Sequence, residues 1–524
     1  MSEEDTTPTT ATVAEAVTPT NTSNEVITTP GSSTGDGMYL KRFLSSMRLN
    51  SDISDPVPML SNNLETVVED ISEEDRFISG IAAVLMNIDA TAGRFDKGAV
   101  QKLIAHIDEL VNTQLNQIIH NESFKKMEAD WSALNDLVRT TNFKADVMID
   151  ILDVGKDELY EDFDNNAVDI TGSALFKKVY TAEYDQYGGK PYGSIIGLYE
   201  FEHTPRDESW LRIMGKIAAA SHAPFIGAVS PKFFGCRTIE EFADIKDVEG
   251  MMNHPRYGSW NALRESEVAA YIGLTLPRYI LRQPYDPDTN PCSGGSFYFK
   301  EEVDGNNDSS YLWGNSSILF AQNMIKSFAT SGWCQYLRGP KGGGLVSGLP
   351  VHMFNIRGEE EMKIPVEMVI PDYRELDFAN AGFMPLIYRK GTADACFFSC
   401  QSLKKPKKFK DTKDSENSQL VTNLSYTLSI TRIAHYVKCI MRDNIGSSAN
   451  DEYIGTTLNN WMFQYVTTIV NPDDLTLRYY PFKAATVEVV PRPGMIGWYD
   501  CAISVLPHIQ FEGMDVELRL DARL

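Results

Sequence analysis

The sequence has little of what marks most chemistries. Its seven cysteines, Cys236, Cys292, Cys334, Cys396, Cys400, Cys439 and Cys501, are odd in number and scattered, with no CxxC pair. That excludes a disulfide framework and points to reduced thiols in a cytoplasm. No run of 18 apolar residues occurs, and the opening MSEEDTTPTT carries no basic-then-apolar signal. The chain is therefore expected neither to insert in a membrane nor to be exported. Positive charge is scarce: 48 Lys and Arg stand against 72 Asp and Glu, a formal net charge of −24. Such a chain repels nucleic acid phosphates and anionic membranes, so no nucleic acid partner is expected.

Catalytic signatures are missing as well. None of the eight histidines sits in HExxH, no GxSxG elbow is present, and no paired carboxylate spacing stands out. RGPKGGGLVSG at 338–348 resembles a phosphate loop, but Gly344 is followed by Leu345 where a phosphate loop needs Lys. Cys396 and Cys400, four apart in ACFFSC, would share a face of a strand as small core residues. His222, at the end of a helical run shortly before a proline, reads as a capping or packing residue, and His435 in RIAHYVKCIMRD as a core side chain of a strong helix. No catalytic, cofactor-binding or metal-binding residue is assigned. A Cys or His enzyme is kept as an alternative.

What is present is folding signal, in four regions. Residues 1–60 hold an acidic Thr-rich tail, 1–37, whose few large apolar groups predict disorder, and the basic amphipathic MYLKRFLSSMRL at 38–49, a docking helix or simply the first helix of the fold. Residues 61–140 are helical, with Val100, Leu103, Ile104, Ile107, Leu110 and Val111 recurring at helical spacing, and Trp131, Leu134, Leu137 and Val138 on one stripe of a second helix. Residues 141–399 form an α/β middle region: strands such as ADVMIDILDV (145–154) and GSIIGLYEF alternate with helices such as WLRIMGKIAAASHA. Residues 400–524 form an α+β region. One long helix carries Leu420, Leu424, Leu428, Ile433, Val437, Ile440 and Met441 and stops at Gly446; NDEYIGTTLNNWMFQYV makes a second. Three strands follow, TVEVV, YDCAISVL and VELRL, giving a small sheet for the helices to cover.

Two features of this last region bear on assembly. The third strand alternates Val516, Leu518 and Leu520 with Glu517, Arg519 and Asp521. Its backbone groups need partners, so it is either an ordinary edge strand of its own domain or a strand added to a neighbour's sheet. The loop before the long helix concentrates Lys404, Lys405, Lys407, Lys408, Lys410 and Lys413 in an otherwise acidic chain. It is either a solvated loop or a patch for an acidic partner surface.

A resemblance covers these regions. FKKVYTAEYDQYGGKPYGSIIGLYEF, AASHAPFIGAVSPKFFG, SEVAAYIGLTLPRYILRQPY, SFATSGWCQYLRGPKGGGLVSGLP, QSLKKPKKF, TRIAHYVKCIMRDNIGS, LNNWMFQYV and CAISVLPHIQFEGMDVELRL resemble, in order from about Asn62 to Leu524, blocks of the large sheath subunit of the type VI secretion system. DSENSQLVTNLSYTLS is more polar than the family's usual lead-in, which leaves the start of the long helix open. The resemblance implies a structural protomer and not a catalyst. It would pair with a small sheath subunit, and copies of the heterodimer would build a helical contractile sheath in the bacterial cytoplasm. The sheath would surround an inner tube of stacked hexamers, attach to a membrane-anchored baseplate, and be dismantled after contraction by a Clp-type ATPase. Inter-subunit strand exchange through the C-terminal sheet is expected on this reading. A phage tail or bacteriocin sheath is the neighbouring alternative.

Overall fold

In the computed structural model, described for residues 97–508 apart from 293–297, 306, 408, 448–449 and 496, the middle region alternates strands and helices as its sequence pattern requires. The tail, the amphipathic segment 38–49, the region 61–96, Lys408 and the strand of Val516, Leu518 and Leu520 lie outside the described residues. The helices that matter below are α1 (Lys97–Ile119), α2 (Glu122–Thr140), α3 (Pro205–Ser221), α4 (Ser317–Ser331), α5 (Thr412–Thr422), α6 (Leu424–Asp443) and α7 (Asp451–Phe463). The strands are β1 (Ile195–Phe201), β2 (Phe225–Val229), β3 (Ile272–Leu276), β4 (Tyr279–Ile280), β5 (Trp313–Gly314), β6 (Leu345–Val346), β7 (Met353–Ile356), β8 (Glu359–Met362), β9 (Met384–Tyr388), β10 (Ala395–Phe397), β11 (Phe482–Pro491) and β12 (Tyr499–Pro507). The chain divides into two compact units, Met1–Leu110 and Val111–Leu524, with the boundary inside α1; of the first, the described part is helix alone.

In the second unit six strands pair in the order β1-β2-β3-β9-β10-β6. β1, β2, β3 and β9 run parallel, whereas β10 is antiparallel to both β9 and β6. Parallel strands covered on both faces read as continuous apolar runs, and every residue of β2 and β3 is buried. Side chains alternate between two cores. Phe201, Phe225 and Leu274 meet Trp210, Met214 and Ile217 of α3 on one face. Ile226, Met384 and Leu386 meet Leu319, Phe320 and Met324 of α4 on the other. The third core belongs to the C-terminal region, where Ile454, Leu458 and Met462 of α7 pack on Phe482 and Val487 of β11 together with Ile433 and Trp333.

Three expectations are corrected. Of ADVMIDILDV, Ala145 closes a 3-10 turn, Asp146 is left-handed at φ 54°, and only 147–154 run without helix, turn or bend; these join no sheet among the described residues. The long helix is two helices, because Asn423 is buried in extended conformation, and its side chain caps α6 by accepting from the backbone N–H of Ser425. On α2 the core-facing residues are Ala133 and Leu137, while Trp131 and Val138 of the expected stripe are exposed.

Candidate functional site

The chemistry-bearing motifs resolve into packing. In the 338–348 loop the backbone N–H of Gly339 donates to the Phe397 carbonyl at 2.7 Å and that of Phe397 to the Gly344 carbonyl at 3.0 Å, so the loop is sewn onto β10. A Cβ on Gly344 would sit 2.3 Å from the Phe397 oxygen, which forces glycine there without any phosphate. Cys396, on β10, and Cys400 are both buried, and burial pushes each thiol up to about 12, the reverse of what a nucleophile needs. His222 ends α3 at φ 52°, with the Ala223 N–H returning to the Ala218 carbonyl at 3.0 Å. His435 Nε2 lies 3.0 Å from the Ser221 carbonyl. Among the described residues no group of three or more His, Cys, Asp or Glu is placed to hold a metal ion, and no helix is long and apolar enough to cross a membrane.

The lysine loop divides. Its start is stitched down: the Leu403 N–H donates to the Ile272 carbonyl at 2.8 Å, the Lys405 N–H to the Arg264 carbonyl at 2.9 Å, and the Ser402 N–H to the Thr422 carbonyl at 2.7 Å. Lys404 is buried and pairs with Glu267. That hydrogen bond, with the charges of Lys404 and of Lys407 at 3.7 Å, holds the Glu267 carboxyl below the usual range. Lys405 is half-buried, while Lys407 and Lys410 are exposed. The loop then folds back on α5, the Lys407 N–H donating to Ser418 Oγ at 2.8 Å and the Phe409 N–H to Ser415 Oγ at 2.9 Å. Lys413 lies in the first turn of α5. Glu267, 137 residues away from Lys404, has no local signal that would have revealed the pairing.

The C-terminal sheet is a two-stranded ribbon. β11 and β12 pair antiparallel from Phe482↔Pro507 to Pro491↔Tyr499. Tyr499, Cys501, Ile503 and Val505 turn inward, and Asp500, Ala502, Ser504 and Leu506 outward. Asn459 of α7 fixes the position of β11, donating to the Val487 carbonyl at 3.1 Å and accepting from the Val487 N–H at 3.2 Å. Among the described residues β12 pairs on one side only, and the backbone groups along its other edge have no strand partner among them. Beyond β12 the chain is held at His508, whose N–H donates to the Pro481 carbonyl at 3.1 Å and whose Nε2 lies 2.8 Å from Thr467 Oγ1.

Comparison with known proteins covers both regions. Residues 101–404 match the family described as EvpB/VC_A0108, tail sheath N-terminal domain, and residues 413–524 its tail sheath gpW/gp25-like domain. The type VI secretion system sheath protein TssC1 of Pseudomonas aeruginosa is 39% identical over 429 residues, which span 81% of this chain and 86% of that protein. Looser likenesses occur to a chain of the anti-feeding prophage baseplate (TM-score 0.35, 10% identity, 72% of this chain and 84% of that one) and to its contracted helical sheath (TM-score 0.30, 12% identity, 61% and 68%). With both sheath domains matched in sequence order and a type VI sheath protein aligned over most of its length, the chain belongs to the EvpB/VC_A0108 tail sheath family of type VI secretion sheath subunits.

Proposed function

We propose that this protein is the large subunit of a two-component contractile sheath in the bacterial cytoplasm. It pairs with a small sheath subunit, polymerises helically around an inner tube of hexamers, and stands on a membrane-anchored baseplate. Contraction then drives the inner tube outward, and a Clp-type ATPase takes the contracted sheath apart. The protein is a mechanical element and not an enzyme. The observation that supports this reading most is that the family match runs through both sheath domains, 101–404 and 413–524. A helical filament needs contacts that repeat without closing, and a strand passed from one protomer to the next meets that need through backbone bonds indifferent to side-chain repacking. The segment of Val516, Leu518 and Leu520 is the strand we assign to this exchange, with the open edge of β12 as the kind of template it requires.

The test is coexpression of the full chain with its small sheath subunit, followed by electron microscopy. Tubular sheaths are expected with both chains and not with either alone. Leu518→Pro removes one backbone donor and fixes φ, so the heterodimer is expected to purify while long sheaths fail. Full-length contractile sheaths from the Leu518→Pro protein would overturn strand exchange, and loss of the folded heterodimer would mean that the strand is internal.

A further inference from the structure

Residues 147–154 run without helix, turn or bend, yet no sheet among the described residues includes them. Val147 and Ile149 are partly buried, Ile149 against the same core on which Ile196 and Leu198 of β1 pack, while Met148, Ile151 and Leu152 are exposed. From Asp146 to Asp153 no backbone N–H or C=O has a backbone partner among the described residues. The segment is nonetheless anchored. Asn142 caps the turn Phe143–Ala145 before it, and the helix Lys156–Asn165 begins after it. Between these ends the Tyr192 hydroxyl donates to Asp150 Oδ2 at 2.8 Å and the Tyr199 hydroxyl to the Val154 carbonyl at 2.7 Å. Side chains from the β1 region thus hold a backbone without helix or turn that has no ladder among the described residues. Exposed apolar side chains on such a backbone gain from an added strand, which buries them and satisfies the peptide groups at once.

We infer that Val147–Asp153 is a pairing edge for an extended segment of the small sheath subunit, one in which apolar residues alternate with Lys or Arg. The choice of partner rests on the proposed function, and its chemistry on charge. Asp146, Asp150 and Asp153 lie between Lys144 and Lys156 with no basic residue among them. Asp150 is engaged by Tyr192, whereas Asp146 and Asp153 form no ion pair among the described residues. Like charges set across a ladder repel, so a basic strand fits this edge better than one from a second copy of a chain with net charge −24.

Hydrogen–deuterium exchange on the full chain, alone and copurified with the small subunit, tests this. Amides 147–153 are expected to exchange freely in the chain alone and to slow by about a hundredfold or more in the complex. Because the Ile151 N–H has no backbone partner among the described residues, Ile151→Pro is expected to leave the melting temperature unchanged while capture of the small subunit falls about tenfold or more. Asp146→Lys combined with Asp153→Lys is expected to weaken capture with the fold intact. If the subunits copurify and form sheaths while 147–153 stay unprotected, or if Ile151→Pro assembles normally, the pairing is wrong and the sheath reading stands. Protection that appears on self-association without the small subunit would make a second copy the occupant and overturn the assigned partner. Failure of the two chains to copurify would defeat the sheath reading and this partner with it.

Discussion

His222 and His435 show at the scale of single residues why histidine in this chain reads as packing. His222 occupies a left-handed position that glycine usually fills, and its ring lies among those of Tyr184, Tyr271 and His435. Burial lowers the pKa of both imidazoles below the ordinary value. For His435 the Ser221 carbonyl opposes that effect, while His222, Lys438 and Arg432 add to it. A folded-state pKa below the unfolded value of about 6.5 means that both states are neutral above that pH. Below it the unfolded chain takes up protons that the folded chain refuses, so stability is lost as pH falls. The melting temperature is therefore expected to drop as pH falls below about 6.5. His435→Gln, whose amide still reaches the Ser221 carbonyl but does not titrate, is expected to flatten that drop; equal slopes for the two proteins would show that His435 contributes nothing to it.

Among the elements, α6 does the joining. Leu424 and Leu428 sit in the core of the six-stranded sheet, while further along the helix Ile433 sits in the C-terminal core and Val437 packs against it. Lys438 pairs with Asp185 at 2.7 Å and lies 3.7 Å from the Tyr184 ring, and Arg442 donates to the Gln186 carbonyl at 2.8 Å. These contacts tie the helix to the π-helical turn Lys177–Tyr184 of the middle region. Where α6 starts is set by Asn423, which accepts from both the N–H and the hydroxyl of Ser425. Asn423→Ala is expected to cost about 1–2 kcal/mol in urea unfolding, because a cap and a buried polar partner go together. A change below about 0.5 kcal/mol would mean that packing at Leu424 alone positions the helix. The helices α6 and α7 and the strands β11 and β12 were legible because their apolar period is strong and their ends carry Asn and Gly. The break at Asn423 was not, since Leu420, Leu424 and Leu428 keep helical spacing straight through it. Nor was the unpaired state of 147–154: alternation in sequence reports a strand's shape, and pairing depends on which chain lies alongside. The lysine loop was legible as a cluster, but Lys404 turns inward to a carboxylate that only the tertiary fold brings near.

On the whole molecule, the arrangement of charge decides how that loop acts. The full chain carries a formal net charge of −24, and Lys407 and Lys410 stand exposed on a loop fixed at Leu403, Lys405 and Lys407 by hydrogen bonds from their backbone N–H groups. Fixed charges of minority sign act over about 10 Å at 0.1 M salt, so they steer a neighbouring acidic surface at contact range and lose that influence as salt rises. Lys407→Glu with Lys410→Glu is expected to change stability by no more than about 0.5 kcal/mol, as for other exposed substitutions. Sheath yield in a pelleting assay is expected to fall at about 50 mM salt, with the deficit narrowing at about 500 mM as the reversed charges are screened. Lys404→Glu is the contrasting case: it sets a second carboxylate, buried, against Glu267, so its effect is expected in the melting temperature of the unassembled chain at any salt. Equal yields for the double variant and the native protein at low salt would make the exposed lysines a solvated loop with no part in assembly.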